Sequence, residues 1–234
     1  MPTQQYRITP QTSLVYPELA QAMGLNGNNK EVRIPGTTTV TGRFKDSGGL
    51  IYWAWDQGRQ GLDYRQTRDA AAGAGTLAHA MVEADIRGAA RPDTSQYPED
   101  MVAKAQSSYS AYLEWKSQTK MQPVETELAL ISRKYLFGGT IDAVQVDGKV
   151  ALLDWKTSNS IYQDHLIQVG GGYALLWEEN FPDMPITGGF HILRFSKEEG
   201  DLTHHTWQNL DLAKAAFIHM RVLFELDKRL KARL

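Results

Sequence analysis

A chain of 234 residues, 42% hydrophobic and 22% charged, is long enough to bury a full hydrophobic core. It contains no cysteine, which excludes disulfides, thiolate zinc sites, iron–sulfur clusters and cysteine nucleophiles. Its net charge of −2 advertises no nucleic-acid partner, so any such partner has to be gripped by a local patch with metal ions supplying part of the positive charge.

The N-terminus, "MPTQQYRITPQTS", lacks the basic-then-apolar pattern of a signal peptide. No run approaches the roughly 18 apolar residues of a membrane span, so a soluble, cytoplasmic protein without membrane contact is expected. A short helical pattern from Leu14 to Met23 leads into the polar turn "NGNNK". Periodicity predicts helix from Leu50 to about Arg87, with a Gly-rich break at "AAAGAGT" just before "LAHAMVEADI", and a further helix from Tyr97 to Lys120. The character then changes. "VETELALIS", "YLFGGTIDAVQV" and "KVALLDWKT" read as three consecutive strands, with Asp147-Gly148 marking a hairpin. A helix from about Tyr162 to Glu179 follows, then strands at "TGGFHILRFS" and "LTHHTWQ", then a last helix from Leu212. No linker or repeat divides the chain. One α/β domain over residues 1–234 is predicted, with a mixed central sheet flanked by helices. Residues 1–120 form a mainly helical N-terminal region, and 121–234 carry the αβ core and the C-terminal helix.

The strands place charge where a core is expected. Asp142, Asp154 and Lys156 sit among apolar residues, and a buried carboxylate costs several kcal/mol unless it is paired or holds a metal. A two-residue hairpin loop would set Asp142 opposite Leu153 and send the two aspartates to opposite faces. An odd loop or a bulge would reunite them, and the apolar pattern favours this, because Asp142, Val144 and Val146 then share a face with Val150, Leu152, Asp154 and Lys156. Two converging carboxylates call for a cation, and Mg²⁺ suits hard oxygen ligands. A lysine beside it can orient a water or stabilise charge on phosphate. A plain Asp154–Lys156 salt bridge is the competing reading of the D-x-K spacing.

Four separated pieces go further: "GTLAHAMVE", "GGTIDAV", "LLDWKTS" and "QVGGGYA". In this order, with a hairpin between the aspartates, they resemble the PD-(D/E)XK nuclease superfamily. Within it they are closest to the RecB-type exonuclease branch, and similar to phage-type exonucleases and the mitochondrial genome-maintenance exonuclease. The resemblance covers about Thr37 to Ser196. It implies a restriction-endonuclease-like core and Mg²⁺ or Mn²⁺ as cofactor. Asp142, Asp154, His79 and the Trp155 carbonyl would be metal ligands, with Glu127 a further candidate. Lys156 would be the catalytic lysine, and Gln168 and Tyr173 its supporting helix motif. The glycines Gly170 to Gly172 depart from an ordinary motif helix, since each costs roughly 1 kcal/mol relative to alanine. They call for either a very close approach to the sheet or to DNA, or a broken helix.

Residues considered for DNA contact are Gly75, Thr76, Thr157, Ser158, Arg43, Trp53 and Trp55. For the two tryptophans, core packing competes with base stacking. His165, His191, His204, His205 and His219 show no metal-ligand spacing and are read as structural or exposed. No HExxH, Walker loop or GxSxG occurs. The expected function is metal-dependent hydrolysis of DNA at ends or single strands, in phage or mobile-element recombination, with a recombination or single-strand-binding protein as a possible partner. The rivals are a structure-specific endonuclease on the same fold and a non-catalytic DNA-binding module.

Overall fold

A computed structural model describes residues 6–158, 160–195 and 202–234, with only the backbone of strand residues 122–127 and 142–145. The alternating and β-branched runs after residue 120 form a five-stranded sheet. Its strands, in spatial as in chain order, are β3 (Met121–Ser132), β4 (Phe137–Val146), β5 (Lys149–Thr157), β6 (Ile186–Phe195) and β7 (Leu202–Trp207). Neighbours are antiparallel except β5 and β6, which run parallel. A parallel pair needs a crossover, and here it is helical: α6 (Gln163–Leu166), a π-helix (Ile167–Tyr173) and α7 (Ala174–Asn180). The sheet is therefore mixed and the class α/β.

The N-terminal region holds β1 (Tyr6–Ile8) paired antiparallel with β2 (Val32–Ile34), a small sheet that the sequence did not announce. Its helices are α1 (Pro17–Met23), α2 (Thr37–Arg43), α3 (Gly48–Arg59), α4 (Tyr64–Ile86) and α5 (Glu99–Gln118), and α8 (Asp211–Lys231) closes the chain. The expected break at "AAAGAGT" is absent, because α4 runs unbroken through it. The interruption lies earlier, where Gly61 takes a left-handed φ of 73° and the Asp63 carboxylate caps α4 by accepting from the Arg65 N–H at 2.9 Å. No helix among the described residues is long and apolar enough to cross a membrane.

β5 is covered on both sides, which explains its near-continuous apolar run. Leu152 joins Ile192, Val169, Tyr173 and Phe217 in a core beneath the crossover helices and α8. Ala151, Leu153 and Trp155 join Leu77, Met81, Tyr112 and Trp115 in a second core beneath α4 and α5. Polar residues at the end of β5 are thus approached by helices from two sides.

The hairpin corrects the expectation of an odd loop, and with it the shared face that such a loop was to give Asp142 and Asp154. Val146 pairs with Lys149 and the register runs without a shift to Asp142 opposite Leu153. Asp147 and Gly148 both take positive φ, 50° and 78°, the two-residue turn that suits the twist of paired strands. The irregularity lies on the other side of β4, where β3 shifts register between Glu125 and Leu128, across from Asp142. Bulges of this kind bend a strand and re-aim its residues.

Candidate active site

Asp154 to Thr157 form the half of β5 that pairs with β6 but has no β4 partner, since the β4 ladder ends at Asp142. The Trp155 carbonyl belongs to this one-sided stretch. The side chains of Asp142 and Glu127 lie outside the described residues.

Two residues apart on one strand, Asp154 and Lys156 face the same way. The Lys156 ammonium lies 2.6 Å from Asp154 Oδ2, an ion pair without hydrogen-bond alignment, and that oxygen is buried with no hydrogen-bond partner. The ammonium also donates to Gln168 Oε1 at 2.8 Å. Gln168 Nε2 in turn donates to the Tyr173 hydroxyl at 2.5 Å. Gln168 and Tyr173 are 8% and 7% exposed, so this chain of contacts is shielded from competing water.

The π-helix makes the last contact possible. In an α-helix, residues five apart diverge by about 140° around the axis, whereas i→i+5 winding stacks them on one face. The three glycines resolve in favour of close approach rather than a broken helix. A Cβ on Gly171 would stand 2.7 Å from the Ala213 carbonyl oxygen and 2.6 Å from Phe217 Cβ. The partner approached is therefore α8, with Leu210 and Thr37 against the other two glycines, and not the sheet.

His79 comes from the opposite side, on α4. Gly75, one turn earlier, permits this, because a Cβ there would lie 2.5 Å from Thr157 Oγ1, so the helix rests directly on the end of β5. Burial pulls the His79 pKa below its ordinary value, with Lys156 adding to the shift and Asp154 opposing it. Its ring therefore stays neutral with a lone pair to give, and it feels the charge of Asp154, whose Oδ2 is free of hydrogen bonds. Oxygen plus imidazole donors of this kind fit a hard divalent cation. Among the described residues no group of three His, Cys, Asp or Glu is placed to share an ion, so the described donors are His79 and Asp154 with the Trp155 carbonyl nearby in sequence.

The remaining candidates are more scattered. Gly75 and Thr76 lie inside α4, where the Thr76 hydroxyl donates to the Ala72 carbonyl, so they offer no free helix terminus. Ser158 Oγ donates to the Ser160 carbonyl, and the Ser158 carbonyl accepts from Arg194. Arg43 is held by Asp227 of α8 at 2.7 Å. Neither tryptophan is in the core, since α3 buries none of its residues. Trp55 is 53% exposed with the Arg59 guanidinium 4.9 Å over its ring, and Trp53 packs edge-on against Tyr64.

Sequence reasoning missed His165. It is 8% exposed, and both Lys156 and Asp154 act on its charge. The available signal was its position three residues before Gln168, on the same face of a helix. Compared with known proteins, the chain matches no family model and no curated relative.

Proposed function

We propose that this protein is a metal-dependent DNA nuclease of the PD-(D/E)XK type, hydrolysing phosphodiester bonds at ends or in single strands. The observation that carries the reading is the chain Asp154–Lys156–Gln168–Tyr173 at the one-sided end of β5, with His79 of α4 within electrostatic reach of Asp154 and Lys156. A salt bridge serving only stability needs no buried glutamine and tyrosine aligned behind its lysine. Breaking even with a hydrophobic pair is the usual outcome for buried ion pairs.

Asp154 and His79, with Asp142 and the Trp155 carbonyl by resemblance, would hold Mg²⁺ or Mn²⁺, which supplies charge stabilisation and a more acidic water when bound. Lys156 is tethered from two sides, so its ammonium is fixed where it can orient a nucleophilic water and meet developing negative charge on phosphate. Gln168 sets that tether, and Tyr173 fixes the glutamine amide so that its oxygen faces the lysine. The exposed Trp55 and Tyr52, 5.5 Å apart on α3, favour unpaired bases, because stacking contributes about 1–3 kcal/mol per base.

End-labelled single- and double-stranded DNA, incubated with Mg²⁺, Mn²⁺, Ca²⁺ or EDTA, tests the reading. Cleavage is expected with Mg²⁺ or Mn²⁺ and not with Ca²⁺ or EDTA, and undiminished cleavage in EDTA sinks it. A covalently closed single-stranded circle distinguishes exonuclease from endonuclease, since an exonuclease leaves it intact.

A further inference from the structure

His165 sits one helical turn before Gln168, the residue that grips Lys156. Its ring protonation pattern follows from geometry. The Tyr162 backbone N–H donates to Nδ1 at 3.3 Å, so Nδ1 is an acceptor and the neutral ring carries its proton on Nε2. The natural taker of that proton is the adjacent Asp164 carboxylate, but Lys45 draws it away. Lys45 Nζ pairs with Asp164 Oδ2 at 2.7 Å, which leaves Asp164 Oδ1 4.0 Å from Nε2, beyond hydrogen-bond reach. Among the described residues nothing accepts from His165 Nε2, although the residue is 8% exposed. The Nε2 atom is not among the solvent-free side-chain atoms left without a partner, so it keeps contact with solvent and a ligand can reach it. An open N–H on a ring that feels the charges of Lys156 and Asp154 suits an anionic oxygen.

We propose that His165 Nε2–H is a substrate-binding donor that takes a non-bridging oxygen of the DNA phosphodiester beside Lys156. The assignment rests on the nuclease reading above for the identity of the ligand, and on the Tyr162 and Lys45 contacts for the state of the ring. Burial, reinforced by Lys156, also holds the His165 pKa below its ordinary value, so the ring remains a neutral donor at physiological pH. Tyr162, 48% exposed with its ring 5.4 Å from that of His165, is placed to back the neighbouring nucleotide.

Two near-isosteric substitutions separate binding from structure. Asn at 165 keeps an acceptor where Nδ1 stood and has nothing at Nε2, whereas Gln reaches the Nε2 position and restores an N–H there. The full chain is titrated in Ca²⁺ with a single-stranded oligothymidylate, and the imidazole ¹⁵N signals are followed in the wild type. The His165 Nε2 signal is expected to shift on binding. His165→Asn should weaken affinity about tenfold or more, as expected for a hydrogen bond to a charged group, while His165→Gln stays within about threefold by the same scale. A His165 ring that does not respond, or an Asn variant that binds like wild type while Gln does not, overturns the proposal and marks the ring as a local backbone cap. If both variants lose affinity, the wild-type ring decides: a shift upholds the proposal and silence overturns it. Cleavage is scored separately in Mg²⁺. An oligomer that binds with a responding His165 but is never cut upholds the phosphate contact and removes the hydrolysis reading. One that is cut with a silent ring does the reverse, and no binding at all removes both.

Discussion

At the scale of single residues, Lys156 is the most exacting position. It makes two contacts of different kinds, an ion pair to Asp154 at 2.6 Å and a hydrogen bond to Gln168 at 2.8 Å. Replacing it by alanine leaves the buried Asp154 oxygen without its counter-charge and removes the group that meets the phosphate. Lys156→Ala should therefore lower the cleavage rate by at least about 10²-fold, the minimum for a positioned proton-transfer group. Affinity for DNA in Ca²⁺ should stay within a few-fold, because one cation among several phosphate contacts changes little of the electrostatic binding term. Single-turnover rates and binding isotherms on the same substrate check both halves. A variant that keeps more than a few per cent of the rate, on that scale, would remove the lysine from the chemistry. Gln168→Ala should fall between the two, since the ammonium then keeps one of its two tethers.

At the scale of elements, the crossover helix shows how packing sets up the site. Its π-winding aligns Gln168 with Tyr173, and its glycines let α8 come within contact of the backbone. Gly171→Ala would press a methyl group against a backbone carbonyl and a Cβ, neither of which can swing aside. Overpacking costs about 1–3 kcal/mol, against a helix-propensity gain of about 1 kcal/mol, so a net loss is expected, together with a loss of cleavage as Gln168 shifts. Gly58→Ala on α3, where a Cβ meets nothing within 4 Å, serves as control and should be neutral or slightly stabilising. Urea midpoints of the two variants check this, and an unshifted midpoint for Gly171→Ala would mean that α8 yields. The strand and helix order from residue 97 onward was legible because alternation and 3.6-residue periodicity are local signals. The π-winding was not, because it depends on α8 resting against the glycines. The break in α3–α4 was misplaced for a related reason. Glycine inside "AAAGAGT" serves contact with Thr157, and the true stop rests on a left-handed Gly61 and a side-chain cap at Asp63. Asp154, Lys156 and Gln168 could be named from sequence, whereas for His165 the spacing to Gln168 gave only its face of the helix, since its meaning lies in where Lys45 places the Asp164 carboxylate.

At the scale of the whole molecule, the edge of the sheet is tied to the helical layer by a proton-ordered chain. The Trp115 indole N–H can only donate, and it does so to His204 Nδ1 at 3.2 Å. His204 Nε2 must then carry a hydrogen and donate to His191 Nδ1 at 2.9 Å, which leaves His191 Nε2–H to donate to the Gly188 carbonyl at 3.0 Å. Both rings are neutral in this arrangement, and a further proton on either would set N–H against N–H. Burial lowers the pKa of His191, which is 5% exposed. His204, nearer solvent on β7, is brought to about 4 by partial burial and by the imidazoles of His191 and His205. In the unfolded chain these histidines titrate near 6.5. Below that pH the unfolded state binds more protons than the folded state, so stability must fall as pH drops from about 6.5 toward 4 and be insensitive to this pair above about 7. His79 and His165, whose pKa values are also lowered, contribute to the same slope. Urea midpoints at pH 7.5, 6.0 and 5.0 should therefore decline steadily. His204→Gln, which cannot be protonated, should reduce the decline without abolishing it, because the two histidines near Lys156 still titrate. A midpoint that holds constant from pH 7.5 to 5.0 would show that the folded protein accepts these protons as readily as the unfolded chain, and that the ordered chain from Trp115 to Gly188 is not what joins β7 to α5.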